Sequence, residues 1–229
     1  MSQNTETVPF RTQLRVAVSN FLQKYRTLLL AVVILGVLVI VGLAIWGQVD
    51  SATKTSFAAK IEKSQDDYNS WFTEADATKK AALATILESE LAEIEKSAPL
   101  GYGLSKAWFI HGNYWANQKK WTEAAAAYHT VFEKDASSYL APIALVNAAV
   151  SHEELGNADA ALKVYEEFEK AFATDVILAP QVFFTQGRLF ESLQKNAEAV
   201  AAYKKLLEKF PESGWTKLGR DRILLLSPE

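Results

Sequence analysis

Three histidines, His111, His129 and His152, are the first residues to weigh for chemistry in this 229-residue chain. A metal centre needs imidazole, carboxylate or thiolate ligands converging on one point at characteristic spacings. His152-Glu153-Glu154 begins like a zinc-protease HExxH motif, but Gly156 stands where the second histidine belongs. The chain has no cysteine, which removes thiol catalysis, Cys-ligated zinc, iron–sulfur clusters and disulfides together. Gly101-x-Gly103 is followed by Lys106 where a dinucleotide-binding loop needs its third glycine, and no strand pattern precedes it. Neither a GxSxG elbow nor a P-loop lysine motif occurs. The expectation is a protein that is not an enzyme, with no metal, cofactor or small-molecule substrate. His111 and His152 then fall on packing positions of one set of helices and His129 on another.

Charge narrows the class of partner. Residues 1–26 carry Arg11, Arg15, Lys24 and Arg26 against Glu6, whereas residues 50–229 carry 20 basic and 26 acidic side chains. A mildly acidic body has no electrostatic footprint for gripping a phosphate backbone, so nucleic acid is not expected as a ligand.

Between Arg26 and Asp50 lie 23 residues without an ionisable side chain, and Leu28–Ile45 contains fourteen Leu, Ile or Val residues. Twenty helical residues at about 1.5 Å each cover roughly 30 Å, the hydrocarbon thickness of a bilayer. Trp46 and Tyr25 fit interfacial anchors at its two ends. A cleavable signal peptide has a shorter apolar stretch and a small-x-small site after it; Trp46-Gly47-Gln48-Val49-Asp50 offers none. The segment 27–49 is therefore read as an uncleaved, single-pass signal anchor. Phe10, Leu14, Ala17/Val18, Phe21 and Tyr25 recur at helical spacing among the basic residues of 1–26, as in a short helix lying on an anionic cytoplasmic leaflet. The expected topology has the N-terminus in the cytoplasm and the C-terminal domain outside.

Beyond Asp50 the chain is made of helix formers, without strand-like alternation. Phe57, Ile61, Tyr68, Trp71 and Phe72 form one apolar stripe, and Leu83, Ile86, Leu87, Leu91 and Ile94 a second, before Pro99-Leu100-Gly101-Tyr102-Gly103. Glu88, Glu90, Glu93 and Glu95 are read as a solvated face. Self-similarity follows. Glu123-Ala124 with Tyr128 and Val131 is echoed by Ala160-Ala161 with Tyr165 and Phe168, and by Glu198-Ala199 with Tyr203 and Leu206. The aligned alanines are 37 and 38 residues apart.

This pattern resembles the tetratricopeptide repeat, a helical pair of about 34 residues. Trp108, Gly112 and Trp115 occupy the family's large, small and large positions in the first unit, and Phe183, Gly187 and Phe190 in the third, which ends at Pro211. The second has Leu145, Ala149 and His152, with Leu155-Gly156 for its turn. The implied fold is all-α: a transmembrane helix, a divergent leading pair within 50–100, and a solenoid of about three repeats with a capping helix within 101–229. The cap, from Gly214 to Leu226, draws on Trp215, Leu218 and part of Ile223–Leu226. The resemblance also implies that a protein ligand binds the concave face lined by each repeat's first helix. Its phase selects Lys106, Phe109, Asn113 and Asn117; then Ile143, Val146, Val150 and Glu153; then Gln181, Phe184, Arg188 and Glu191. Phe109 and Phe184 are equally placed to pack between helices. Co-chaperone relatives clamp a C-terminal carboxylate with paired asparagines and several cations. Asn113 and Asn147 match the asparagines, but Phe109, Gln181 and Thr185 hold the cation positions, which leaves such a carboxylate uncompensated.

The layout of basic tail, Gly-containing anchor running into Gln48-Val49-Asp50-Ser51-Ala52, and acidic repeats with Leu155-Gly156-Asn157-Ala158-Asp159-Ala160-Ala161-Leu162 resembles the YfgM-type ancillary subunit of the bacterial Sec translocon. That likeness implies a periplasmic, chaperone-like scaffold in the bacterial inner membrane. Its expected partners are exported proteins, Sec translocon subunits and a membrane-anchored foldase. Two alternatives stay open: an adaptor organising another envelope complex for secretion or division, and a cytosol-facing precursor receptor.

Overall fold

The computed structural model describes residues 10–175 and 177–226. Among them are nine helices and no strand: α1 (Phe10–Thr73), α2 (Ala77–Ser97), α3 (Tyr102–Asn117), α4 (Trp121–Lys134), α5 (Ala141–Glu154), α6 (Ala158–Phe172), α7 (Ala179–Ser192), α8 (Asn196–Lys209) and α9 (Gly214–Leu226). The chain divides into two compact units, residues 1–53 and 54–229.

The first unit is described through the opening part of α1. An 18-residue window of that helix has a mean hydropathy of 3.3 and no buried residue, so it is long and apolar enough to cross a membrane. Of the basic tail expected at 1–26, residues 1–9 and the side chains of Phe10, Arg11 and Ala17 lie outside the described residues. Leu14, Val18 and Phe21 are exposed, and the Phe21 and Tyr25 rings lie 4.9 Å apart.

The second unit is a series of helical pairs in which successive helices pack on one another. Asp76 caps α2 by accepting from the Lys79 amide at 2.9 Å, and Asn157 caps α6 by accepting from Ala160 at 3.1 Å. Pro142 and Pro180 sit in the first turns of α5 and α7, where a missing amide hydrogen does no harm. The turns α3–α4, α5–α6 and α7–α8 share one geometry. Lys119, Gly156 and Gln194 adopt left-handed φ values of 58°, 70° and 59°. The next amide in each turn, of Lys120, Asn157 or Lys195, returns to the carbonyl of Trp115, His152 or Phe190 at 2.9–3.0 Å. This is the Schellman arrangement, repeated at the 37- and 38-residue spacings of the alanines.

Ala124, Ala161 and Ala199 are fully buried, as are Tyr165, Phe168, Phe183 and Tyr203. One apolar cluster runs from Ala124 to Leu206; a second joins Ile61 and Trp71 to Leu87, Leu91, Ile94, Ala107, Ile110 and Tyr114. Trp115 lies against both. Each large aliphatic or aromatic side chain buried this way contributes about 1.5–3 kcal/mol.

Three expectations are corrected. Glu88, Glu90 and Glu95 are not a solvated face: Glu88 accepts from the Tyr114 hydroxyl at 2.5 Å, Glu90 pairs with Lys63, and Glu95 meets His111 Nδ1 at 2.7 Å. Helix α2 has neighbours on two sides, so its glutamates face α1 and α3. Phe72 and Ile86 leave their apolar stripes and are exposed. In α9 the buried face is Thr216 and Gly219, with Trp215 half-buried and Leu218 outward, because Gly219 fits under the Leu206 and Leu207 side chains.

Candidate functional site

The odd-numbered helices of the second unit stand side by side and are joined along one face. From α1 to α3, Lys106 donates to Glu62 at 2.8 Å, and Asn117 Nδ2 donates to the Tyr68 hydroxyl at 2.9 Å. From α5 to α7, Arg188 pairs with Glu153. From α7 to α9, Arg222 pairs with Glu191. Each of these glutamates also accepts from a tyrosine of the following even-numbered helix, Tyr165 on Glu153 at 2.9 Å and Tyr203 on Glu191 at 2.5 Å. Arg222 beside Glu191 holds that carboxyl below the usual glutamate range. Burial raises the Tyr165 and Tyr203 phenols, and their glutamate partners raise them further.

The step from α3 to α5 differs. No ion pair crosses it among the described residues. Asn113 Oδ1 accepts from the Tyr128 hydroxyl at 2.7 Å, with Ile143 (39% exposed) and Val150 (40% exposed) on the neighbouring helix. Phe109 is half-buried, edge-on to Tyr128 at 5.6 Å, and Val146 is buried in the core cluster. Further along, Gln181 is half-buried, and Phe184 is half-buried with its ring 5.5 Å from Tyr203 and 5.2 Å from Trp215. The geometry thus brings the twelve residues selected by phase onto odd-numbered helices. Most of their polar side chains already hold hydrogen-bond or ion-pair partners, and Ile143 and Val150 of the α3–α5 step remain open.

Residues 107–176 and 181–213 each match a family model described as Tetratricopeptide repeat. The chain carries TPR repeats. It is similar to a TPR repeat-containing protein of Treponema pallidum (strain Nichols), at 36% identity over 110 residues, which are 48% of this chain. The match covers 45% of that relative, so the chain spans less than half of its length. Among solved structures it is similar in fold to a tetratricopeptide repeat protein from Parabacteroides merdae ATCC 43184, with a TM-score of 0.55, 20% identity, and coverage of 75% of this chain and 60% of that one. The TPR domain of Arabidopsis OM64 aligns with a TM-score of 0.42 and 20% identity over 52% of this chain and 93% of its own.

Stacked TPR pairs present an extended surface of the kind repeat proteins use to bind other proteins. The phase of the repeats' first helices does not reach two contributors to this surface. Helix α1 adds Tyr68 and the exposed Phe72, whose rings stack at 6.2 Å, and α9 adds Arg222. Two aromatics four residues apart are the signature of one helix face, the signal by which Tyr68 and Phe72 were legible. Nothing local marks Arg222.

The histidines sit elsewhere. His111 stacks on Trp115 at 5.0 Å. His129 lies between Glu133 at 3.2 Å and Glu167 at 2.6 Å. Burial holds His152 below the usual histidine range, and the nearby charge of His129 lowers it further.

Proposed function

We propose that this chain is a membrane-tethered scaffold whose TPR array binds other proteins on the odd-helix face, the concave side in such arrays. The observation that carries the reading is the union, in one chain, of a charge-free apolar stretch at 27–49 and TPR repeats with an open apolar step between α3 and α5. Ile143 and Val150 offer hydrocarbon to a ligand, and Asn113 and Asn147 flank them with amides able to meet peptide groups. An extended polypeptide segment with uncharged side chains suits that window, since a charge there gains no countercharge. The likeness of the tail, anchor and repeats to YfgM-type subunits supports a periplasmic station beside the Sec translocon, with exported proteins as ligands.

Two measurements test the proposal. A photoreactive amino acid placed at 143 or 150 in the full chain is expected to cross-link newly exported polypeptides and Sec subunits in intact cells; reproducible cross-linking to neither sinks the translocon reading. A reporter fused after Glu229 should be active only when exported. Activity confined to the cytoplasm overturns the periplasmic orientation.

A further inference from the structure

The joint between the second and third repeats contains a cleft of about 520 Å³, lined by α6, α7 and α8 and sharing no residue with the odd-helix face. The buried Ala202 and the half-buried Phe190 form its apolar part. Gln186 also lines it. That side chain is only 4% exposed, and its carboxamide has no hydrogen-bond partner among the described residues. An amide held out of water with neither donor nor acceptor matched weakens a fold, and such a group calls for an explanation beyond packing.

The preceding joint, between the first and second repeats, carries what these positions hold when they only pack. In the 37- and 38-residue register, Ala148 stands for Gln186, Val164 for Ala202 and Phe132 for Glu169. Ala148 and Val164 are buried, and the Phe132 ring lies 5.9 Å from that of Phe172. Hydrocarbon fills the first joint. In the second, one smaller residue and two polar ones leave a cleft with an amide inside it.

Its rim orders charge of both signs. Glu198 stands in the first turn of α8, and Lys170 and Lys209 in the last turns of α6 and α8. Between them Lys205 donates to Glu169 at 2.8 Å. Glu198 and Lys170 have no ion-pair partner among the described residues. With three glutamates against three lysines, the cleft offers no net attraction to a polyanion such as a nucleotide. Glu198 and Lys209 are eleven residues apart on one helix, about 16 Å along its axis. A free amino acid is too short to meet both ends, whereas about five residues of extended chain, at roughly 3.3 Å each, span them. A peptide group also displays a donor and an acceptor together, the complement of the Gln186 amide.

We infer that this cleft is a second protein-binding site, which takes a short extended segment of a partner. The segment is cationic toward Glu198 and anionic toward Lys170 and Lys209. One of its peptide groups meets the Gln186 amide, and an apolar side chain covers Phe190.

Calorimetric titration of the full-length chain in lipid nanodiscs with the blocked peptide acetyl-Arg-Ala-Phe-Ala-Glu-amide tests this. The mixed-sign peptide is expected to bind several-fold more tightly than versions with arginine at both ends or glutamate at both ends. Gln186→Ala and Ala202→Val place in this joint what the preceding one holds. They should keep or raise the unfolding midpoint while weakening binding several-fold. Lys170→Glu, at an exposed position, should shift preference toward the two-arginine peptide, and it reports on the site even where a buried variant misfolds. Absence of binding by the mixed-sign peptide, equal binding of all three, or binding unmoved by Ala202→Val and Lys170→Glu overturns the inference. Loss of binding in Val150→Asp would put the peptide on the odd-helix face, which overturns the inference and leaves the proposed function standing.

Discussion

Gly112 and Tyr128 leave no room for a methyl group between them: a Cβ on the glycine would stand 2.6 Å from two carbons of the ring. The ring cannot step aside freely, because its hydroxyl is bonded to Asn113 at 2.7 Å. Gly112→Ala is therefore expected to destabilise the array. Overpacking costs about 1–3 kcal/mol against a helix-propensity gain of about 1 kcal/mol. Urea unfolding followed by tryptophan fluorescence checks it, and an unchanged or higher midpoint would refute the tight fit. Gly187, against the ring of Tyr203, should behave alike.

The three Schellman turns make a second prediction. Only one of their left-handed residues is glycine; Lys119 and Gln194 hold the same conformation against Cβ repulsion. Lys119→Gly and Gln194→Gly are each expected to stabilise by about 0.5–1 kcal/mol, and Gly156→Ala to destabilise by a similar amount. No atom outside the turn lies within 4 Å of a Cβ at 156, so backbone conformation alone should set that loss. Denaturation midpoints that fail to split in these directions would count against the turn geometry.

Much of this architecture is legible in the sequence. Ala124, Ala161 and Ala199 announce the period, because each must admit a neighbouring helix at close range, and all three are fully buried. What was not legible depends on pairs distant in sequence. Glu153 meets Arg188 and Glu191 meets Arg222, 35 and 31 residues apart, and no local pattern specifies such a match. The α2 glutamates differ from their sequence pattern for a related reason. Periodicity marks one apolar face, yet a helix held between two others has polar positions that are also enclosed. The candidate surface was therefore legible in its helices and register, but not in which of its groups are already spoken for.

Acid should test the α7–α9 link. Glu191 titrates below its ordinary value near 4.5 because Arg222 hydrogen-bonds it. A lowered folded value means the stabilisation is fully present above the ordinary value and is lost as pH falls through the folded one. Arg222→Gln should lower stability by about 1–2 kcal/mol at pH 7, within the range for charge-assisted hydrogen bonds after discounting for Arg222's exposure. The gap between variant and wild type should narrow as pH drops below 4.5. Unfolding midpoints at pH 7 and in acid decide; a gap independent of pH would refute the assignment.

His152 gives the next. Burial lowers its proton affinity from the ordinary 6.5, so the folded state favours the neutral ring. Stability from this site is whole above 6.5 and declines as pH falls from there towards the folded value. The third repeat has Phe190 at the matching position. His152→Phe should remove this part of the decline, so that the variant gains on the wild type between neutral pH and pH 5 on thermal unfolding. Parallel profiles would show that His152 does not titrate with folding.

The last prediction concerns binding. Val150→Asp places a charge in the uncharged α3–α5 window at an exposed position. It should reduce cross-linking from position 143 several-fold while leaving the unfolding midpoint within about 0.5 kcal/mol of wild type, as for surface changes generally. Phe184→Ala, whose ring packs on Tyr203 and Trp215, should instead lower stability by about 2–4 kcal/mol. Equal losses of stability in both variants would mean that the window is part of the core.

The pairing of Glu153 with Arg188 has a mechanical consequence. Helix α5 lies along α4 far more extensively than α7 lies along α6, so one junction leans on apolar packing and the next more heavily on a charged stitch. A solenoid strained from its ends behaves as a spring whose coils differ in stiffness. Of the two coils between the three repeats, that between the second and third is the more compliant, and because Arg188 is open to solvent its stiffness falls as dissolved ions screen the stitch. Of the two joints between repeats, this one yields first, and the salt around it sets how far.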